Sequence, residues 1–376
     1  MLRYGVEPVV SLGPIELQAL EVAGPLLRRP GDPPPAHPTS LSLAARELAA
    51  LAAASQPLTR GRVRTALWNA AASDPAPIRY LVSGPPEQVA AALPALISST
   101  SFASHLGAGA VERDGTAWLV LLASPRRAAL RPFPRAVPVG ASATLEGELV
   151  TGMADPRLFV TAPDGTARER PVSGTRRFRA ELTFDAPGRW VVEVLGRGLN
   201  GPEVVALLAV AAGAEAPSAS PAAEEPDPVG QDAAEARVLQ AMNATRRHHG
   251  LTQLESSPAL AAVARAHSAE MLRSGLLAHQ LPGGPGTVER VRRAQVPYQK
   301  VLENVAKGTT ALAAHEDIEG SPAHRDNLLA PGPTVAGVGI ARGTLPGGGP
   351  VVYLTEVLVE PPVDPGRNTL NGSELR

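Results

Sequence analysis

The sequence predicts a multidomain α+β protein, and three observations carry that prediction. Its 376 residues exceed the usual domain size of roughly 100–150 residues. Between residues 133 and 213 short alternating runs follow one another with no helical segment, whereas the stretches on either side mix helical and strand periodicities. A segment almost devoid of large apolar groups, residues 214–231, then separates this all-β region from a C-terminal domain whose elements count as an α–β–α sandwich.

Bulk properties narrow the chemistry. Hydrophobic residues make up 44% and aromatic ones only 3%, so the cores are built from Ala, Val and Leu. The net charge of −1 predicts no nucleic-acid partner through the overall field. Lysine occurs only at Lys300 and Lys307. The absence of cysteine excludes disulfides, thiolate catalysis and Cys-ligated zinc. No apolar run reaches the ~18 residues of a transmembrane helix, and the first twenty residues lack the basic-then-apolar pattern of a signal peptide.

The elements read in order as follows. Residues 1–40, rich in proline after Pro25, are expected to form an extended leader. Residues 41–130 form an α+β domain, with helical spacing from Leu43 and from Glu87, and a buried strand at Ala117–Leu122 after the turn Asp114-Gly115. Residues 133–213 form a β-sandwich, with alternation in Ala143–Val150, Arg157–Thr161, Phe178–Phe184 and Trp190–Leu195. The phrase Ala186-Pro-Gly-Arg-Trp-Val-Val-Glu-Val194 resembles the penultimate strand of bacterial immunoglobulin-like modules, which implies an Ig-like sandwich. Residues 214–231 are a disordered linker, 232–361 the last domain and 362–376 a polar tail.

In the last domain Val238, Leu239, Met242 and Thr245 share a helical face that Gly250 terminates. Ser257-Pro258 begins a second helix as N-cap and first-turn proline, and Gly275 ends it. Further helices are expected at Thr287–Ala294 and Thr310–Glu319, and strands at Val335–Arg342 and Val351–Val359 around the turn Pro346–Gly349.

Asn243-x-x-Arg246, Gly250-Leu251, Ala266-His267-Ser268, Met271, His279, Glu303-Asn304, Ser321-Pro322-x-His324-Arg325-x-Asn327-Leu328-Leu329 and Gly337-Val338-Gly339 recur in an order that resembles the bacterial branch of the CAP superfamily, the cysteine-rich secretory, antigen 5 and pathogenesis-related (SCP-like) group. The resemblance covers residues 232–361. It implies an extracellular or cell-envelope protein with a central cleft, and it carries the cleft histidines onto His279 and His324 and the cleft glutamate onto Glu303. The family's second glutamate falls near Glu316 or Glu319, and Ile318 stands where a large aromatic is common.

These residues permit definite chemistry. Neutral imidazoles at His279 and His324 could bind a divalent cation such as zinc or instead bond backbone carbonyls as structural side chains, and Glu303 could orient a ligand histidine, act on bound water or cap a backbone segment. The leading expectation is a cleft for a small molecule, lipid or envelope ligand. The alternatives are a metal-dependent hydrolase with Glu303 as base, and a structural or adhesive protein with a vestigial cleft. His267, on an apolar face, reads as a core histidine. His248-His249 close a helix, and Arg325 and Asn327 read as loop-fixing side chains. Finally, His105–Val111 followed by Trp118–Leu122 echoes Thr334–Ile340 followed by Val351–Thr355, so residues 41–128 read as a degenerate copy of the C-terminal fold without its site.

Overall fold

The computed structural model describes residues 2–97, 102–199, 201–213, 226–344 and 350–362. The chain divides into two compact units. The first is Met1–Glu225 with Gly320–Asp326 and Thr344–Pro350, and the second is the remainder.

The first unit opens with three helices, α1 (Pro14–Leu27), α2 (Thr39–Ala53) and α3 (Arg60–Asn69). The extended leader expected over residues 1–40 is thereby corrected. Pro14 sits in the first turn, where a missing N–H costs nothing, Pro25 falls in the last turn, and Ala19, Leu20, Ala23 and Leu27 form a buried stripe. Three antiparallel strands follow: β1 (Ile78–Gly84), β2 (His105–Arg113) and β3 (Thr116–Ser124). Their order in the sheet is β1-β3-β2. Asp114 and Gly115, both at positive φ, make the β2–β3 hairpin turn expected from the sequence.

Helix α2 lies on β2 at a distance only glycine permits. A Cβ at Gly107 would stand 2.5 Å from Leu41 C, and one at Gly109 2.0 Å from Arg46 N. A buried carboxylate locks the contact: Glu16 takes the Arg46 guanidinium and accepts from Ala110 N at 3.2 Å.

Residues 141–212 form the expected all-β region from β4 (Ala141–Leu149), β5 (Ala154–Thr161), β6 (Ala167–Arg170), β7 (Arg177–Phe184), β8 (Gly188–Gly198) and β9 (Gly201–Ala212). Strands β4 and β7 belong to one sheet, and β6, β5, β8 and β9 to another, with short strands at Ala128–Leu130 and Ala136–Val137 joining them. The two sheets share a core containing Leu145, Phe178, Phe184, Trp190, Val192 and Leu208.

Strand β8 carries a polar residue into the interior. Glu193 is buried and accepts from Ser321 Oγ and from Ala323 N, both at 2.7 Å. Burial pushes its carboxyl up to about 7 against these two bonds. A folded-state value above the unfolded one stabilises the fold at low pH, and that contribution disappears as pH rises through about 7. Wild type minus Glu193→Gln stability, from urea melts between pH 4.5 and 8.5, should therefore fall by about 3 kcal/mol. A flat difference would contradict this account.

The second unit holds α4 (Gln231–His248), α5 (Pro258–Ser274), α6 (Thr287–Arg293), β10 (Lys300–Gly308), α7 (Ala311–Gly320), α8 (Pro322–Leu328), β11 (Val335–Thr344) and β12 (Pro350–Glu360). The segment Gly320–Asp326 of α7 and α8 groups with the first unit. The sheet order is β11-β12-β10, with the short strand Glu255–Ser256 pairing parallel to β11. Ser257 caps α5 by accepting from Leu260 N, and Gly275 closes it in the left-handed region.

Two expectations at this boundary change. Helix α4 begins earlier than its apolar stripe indicated. The linker expected over residues 214–231 does not extend to its C-terminal end, because Asp227 accepts from Ala311 N at 2.8 and 2.9 Å. Residues 214–225, the turn Pro346–Gly349 and the tail from 363 onward lie outside the described residues.

Here too a helix rests on a glycine-bearing strand. A Cβ at Gly337 would lie 2.1 Å from Leu260 C, and one at Gly339 2.1 Å from Arg265 N. Glu235 takes Arg265 and accepts from Ile340 N at 3.1 Å. Arg246 is fully buried, with no ion pair to a carboxylate among the described residues. Its guanidinium donates to the carbonyls of Thr252, Leu328, Ala330 and Pro333. Asn243 ties Leu254 N and O to the same helix. Among the described residues no helix is long and apolar enough to cross a membrane.

Candidate functional site

Strand β10 positions the polar residues of the second unit. Glu303 and Asn304 are consecutive, so their side chains leave opposite faces of the sheet. Both are buried.

On the Glu303 face, the loop after α5 brings His279 to the carboxylate. His279 Nδ1 lies 3.0 Å from Glu303 Oε1. A carboxylate oxygen can only accept, so Nδ1 carries a proton, and in the neutral form of the ring Nε2 holds the lone pair. Thr287 Oγ1 donates to the same oxygen at 2.8 Å, and Arg290 Nη2 donates to Oε2. Burial alone would push the Glu303 carboxyl up. The hydrogen bond and charge of His279, with the Arg290 guanidinium, outweigh it and hold the group below the usual carboxylate range. Glu303 is thus an ionised hub with both oxygens engaged.

The loop that bears His279 is gripped from behind. Arg290 Nη1 donates to His279 O at 3.1 Å and to Pro285 O at 2.7 Å. His267, buried on α5 as expected, lies 2.9 Å through Nε2 from Ala278 O.

On the Asn304 face stands a group that sequence reasoning missed. His315 on α7 is buried, with Nδ1 2.7 Å from Glu356 Oε1. Asn304 Nδ2 donates to Glu356 Oε2 at 3.2 Å. His315 Nε2 faces Glu319 Oε1 at 3.6 Å, and Thr245 Oγ1 donates to that same oxygen. Glu319 therefore stands with His315, on the opposite side of the sheet from the His279–Glu303 pair. Asn327 Nδ2 spans the strand itself, donating to Glu303 O and Asn304 Oδ1. His315 was overlooked because its partner Glu356 lies in an otherwise apolar strand. The signal was present as a carboxylate inside a run that otherwise reads as buried.

His324 lies in α8, half-buried, with its backbone N–H 3.4 Å from Ser321 Oγ. It falls in the segment grouped with the first unit, whereas His279 and Glu303 belong to the second. Arg325 Nε donates to Gly165 O, a loop-fixing role. Ile318, at the place of the expected aromatic, is fully buried core. Among the described residues no group of three or more His, Asp or Glu is arranged to hold a metal ion.

Burial would push the His315 imidazole down, but Glu356 and Glu319 outweigh it and raise it to about 10. The ring is a buried imidazolium at neutral pH. Its stabilising contribution is full below about 6.5 and lost as pH rises through about 10. Nitrogen NMR should find both ring nitrogens protonated at pH 8, and His315→Leu, which strands Glu356, should cost about 3–5 kcal/mol. A ring that deprotonates near 6.5 would refute the assignment.

Residues 239–355 match the family described as CAP, the cysteine-rich secretory protein family. A curated Bacillus subtilis (strain 168) protein, described as the uncharacterized membrane protein YlbC, is 32% identical over 113 residues, which is 30% of this chain and 33% of that protein. The chain thus spans about a third of the length of that relative. Among solved structures, an extracellular SCP-domain protein of Bacillus anthracis str. Ames aligns at 19% identity and TM-score 0.32, over 46% of this chain and 65% of that one, short of two thirds of its length. An outer surface protein of Borrelia burgdorferi aligns at 16% and 0.30, over 34% and 92%. A cysteine-rich secretory protein of Staphylococcus aureus subsp. aureus Mu50 aligns at 11% and 0.29, over 67% and 82%. At such scores the structural likenesses carry no argument.

Proposed function

From the premise that the C-terminal part of the chain is a bacterial CAP domain, we propose that this domain binds a small molecule or lipid of the cell envelope through His279, as part of an exported protein. The export reading draws on the word secretory in the family description. One observation carries the binding reading. Glu303 is saturated by His279, Thr287 and Arg290 and held ionised, so it fixes the orientation of His279 and is poorly placed to take a proton from water. That disfavours the hydrolase with Glu303 as base.

A divalent cation is a second reading. The tie of Nδ1 to a carboxylate presents Nε2 as a ligand atom, the arrangement common behind metal-bound histidines. A bound cation would supply Lewis acidity at that place.

The test follows ring signals of His279 and His324 during separate titrations with zinc chloride and with a soluble phospholipid. Saturable binding to wild type that weakens at least ~10-fold in His279→Ala supports the site. Phospholipid binding alone favours the first reading, and zinc binding lost in His279→Ala favours the second. Ester or peptide turnover abolished by Glu303→Gln would overturn both in favour of a hydrolase. An intact protein that binds neither zinc nor phospholipid would leave a structural or adhesive role, and binding untouched by His279→Ala would overturn the assignment to His279.

We further propose that residues 14–124 are a second copy of the C-terminal fold, and that residues 133–213 are an Ig-like spacer. Both α/β regions have the strand order first, last, middle. In both, a helix backbone rests on paired glycines, Gly107 and Gly109 against Gly337 and Gly339. The locking pairs Glu16–Arg46 and Glu235–Arg265 are each 30 residues apart. A parallel bridge precedes the helix in both, Ala36 with His105 and Glu255 with Val335. Leu48 follows Arg46 at the spacing with which His267 follows Arg265, so the first copy has core leucine where the second has a site histidine. Gly109→Ala and Gly339→Ala should each destabilise by at least about 2 kcal/mol, while Gly84→Ala, with no atom nearer than 3.9 Å, should be near neutral. A neutral Gly109→Ala would count against a shared clamp.

A further inference from the structure

We propose that His267 is a positioning residue for His279: by holding the Ala278 carbonyl it fixes the turn from which the His279 ring reaches Glu303. This rests on the reading of His279 as the binding residue and names what supports it.

The geometry begins with α5. Its backbone is pressed onto Gly339, and the next residue after His267, Ser268, donates to Gly339 O at 2.9 Å and lies 2.8 Å from Thr355 Oγ1. His267 therefore projects from a stretch of α5 held to the sheet by these contacts. His267 is 1% exposed, and Nε2 lies 2.9 Å from Ala278 O. A backbone carbonyl only accepts, so Nε2 bears the proton.

The receiving segment has no regular structure of its own. Residues 276–286 are turn and irregular chain. Its successive carbonyls are taken by two different elements: Ala278 O by His267 from α5, and His279 O by Arg290 from α6. With its backbone pinned on both sides, the His279 side chain meets Glu303 in one orientation.

The second nitrogen of His267 argues against a packing role. Nδ1 is buried without a hydrogen-bond partner. Burying an unpaired ring nitrogen costs free energy that an apolar side chain avoids. Leucine fills the corresponding place at Leu48. A histidine here is understandable through the one bond it makes. Burial, with the Arg290 charge and against that of Glu303, pushes the ring down and keeps it neutral, the form with a single donor for Ala278.

The test records ring-nitrogen NMR of His279 in the full chain. Wild type should show a single tautomer with the proton on Nδ1. His267→Leu should lose it, giving a mixture of the two ring tautomers, while His267→Gln, whose amide can still donate to Ala278 O, should restore it. Should the leucine variant fail to fold, the comparison passes to His267→Gln and His267→Asn, whose shorter amide misplaces the donor and should give the mixture. A single unchanged His279 tautomer in folded His267→Leu, or in His267→Asn, overturns the proposal. Failure of the underlying site reading looks different: Glu303→Gln would then leave the His279 tautomer as in wild type.

Discussion

The approach of α5 to the glycine-bearing strand β11 is the constraint on which the second unit depends. Two positions without side chains let helix and strand backbones meet at a separation no other residue tolerates. Close approach leaves polar backbone and an arginine at the seam, and Glu235 satisfies both. Everything borne by α5 inherits this placement, including His267 and Ser268. The first unit repeats the solution with Glu16, Arg46 and Gly109, which marks it as a way of seating a helix and separates it from ligand chemistry.

Strand β10 turns that scaffold into two polar compartments. Placing Glu303 and Asn304 side by side sends one carboxylate network to each face, since Asn304 hands its face over to Glu356 and His315. The two networks differ in charge logic. Glu303 is neutralised by a guanidinium and shared with the His279 imidazole, whereas Glu356 is neutralised by a ring that stays charged. The second is a fixed buried ion pair. Asn327, bonded to both residues of the strand, keeps the two in register.

Much of this was legible before any coordinates. Caps at Ser257 and Gly275 follow from local chemistry, and so does the hairpin turn at Asp114-Gly115. The pairing of His279 with Glu303 was implied by the resemblance to the CAP superfamily. What escaped the sequence has physical reasons. Strand β10 was invisible as a strand because Glu303 and Asn304 interrupt any alternation, each being buried on its own face. Helix α8 is short and begins at a proline, so it read as loop. Helix α1 was masked by the prolines that follow it, although Pro14 belongs at a helix start. The His315 network joins residues far apart in the chain, and no periodicity links an imidazole on a helix to a carboxylate inside an apolar strand.

Arg246 has a consequence of its own. Its guanidinium is solvated by four carbonyls drawn from the loop after α4 and from the chain leading into β11. Freeing any one of those loops would strip a buried charge of part of its solvation, and water would have to follow it in. The end of α4, residues 250–254 and residues 328–333 should consequently open and exchange their amide hydrogens as one cooperative unit, despite their distance in sequence.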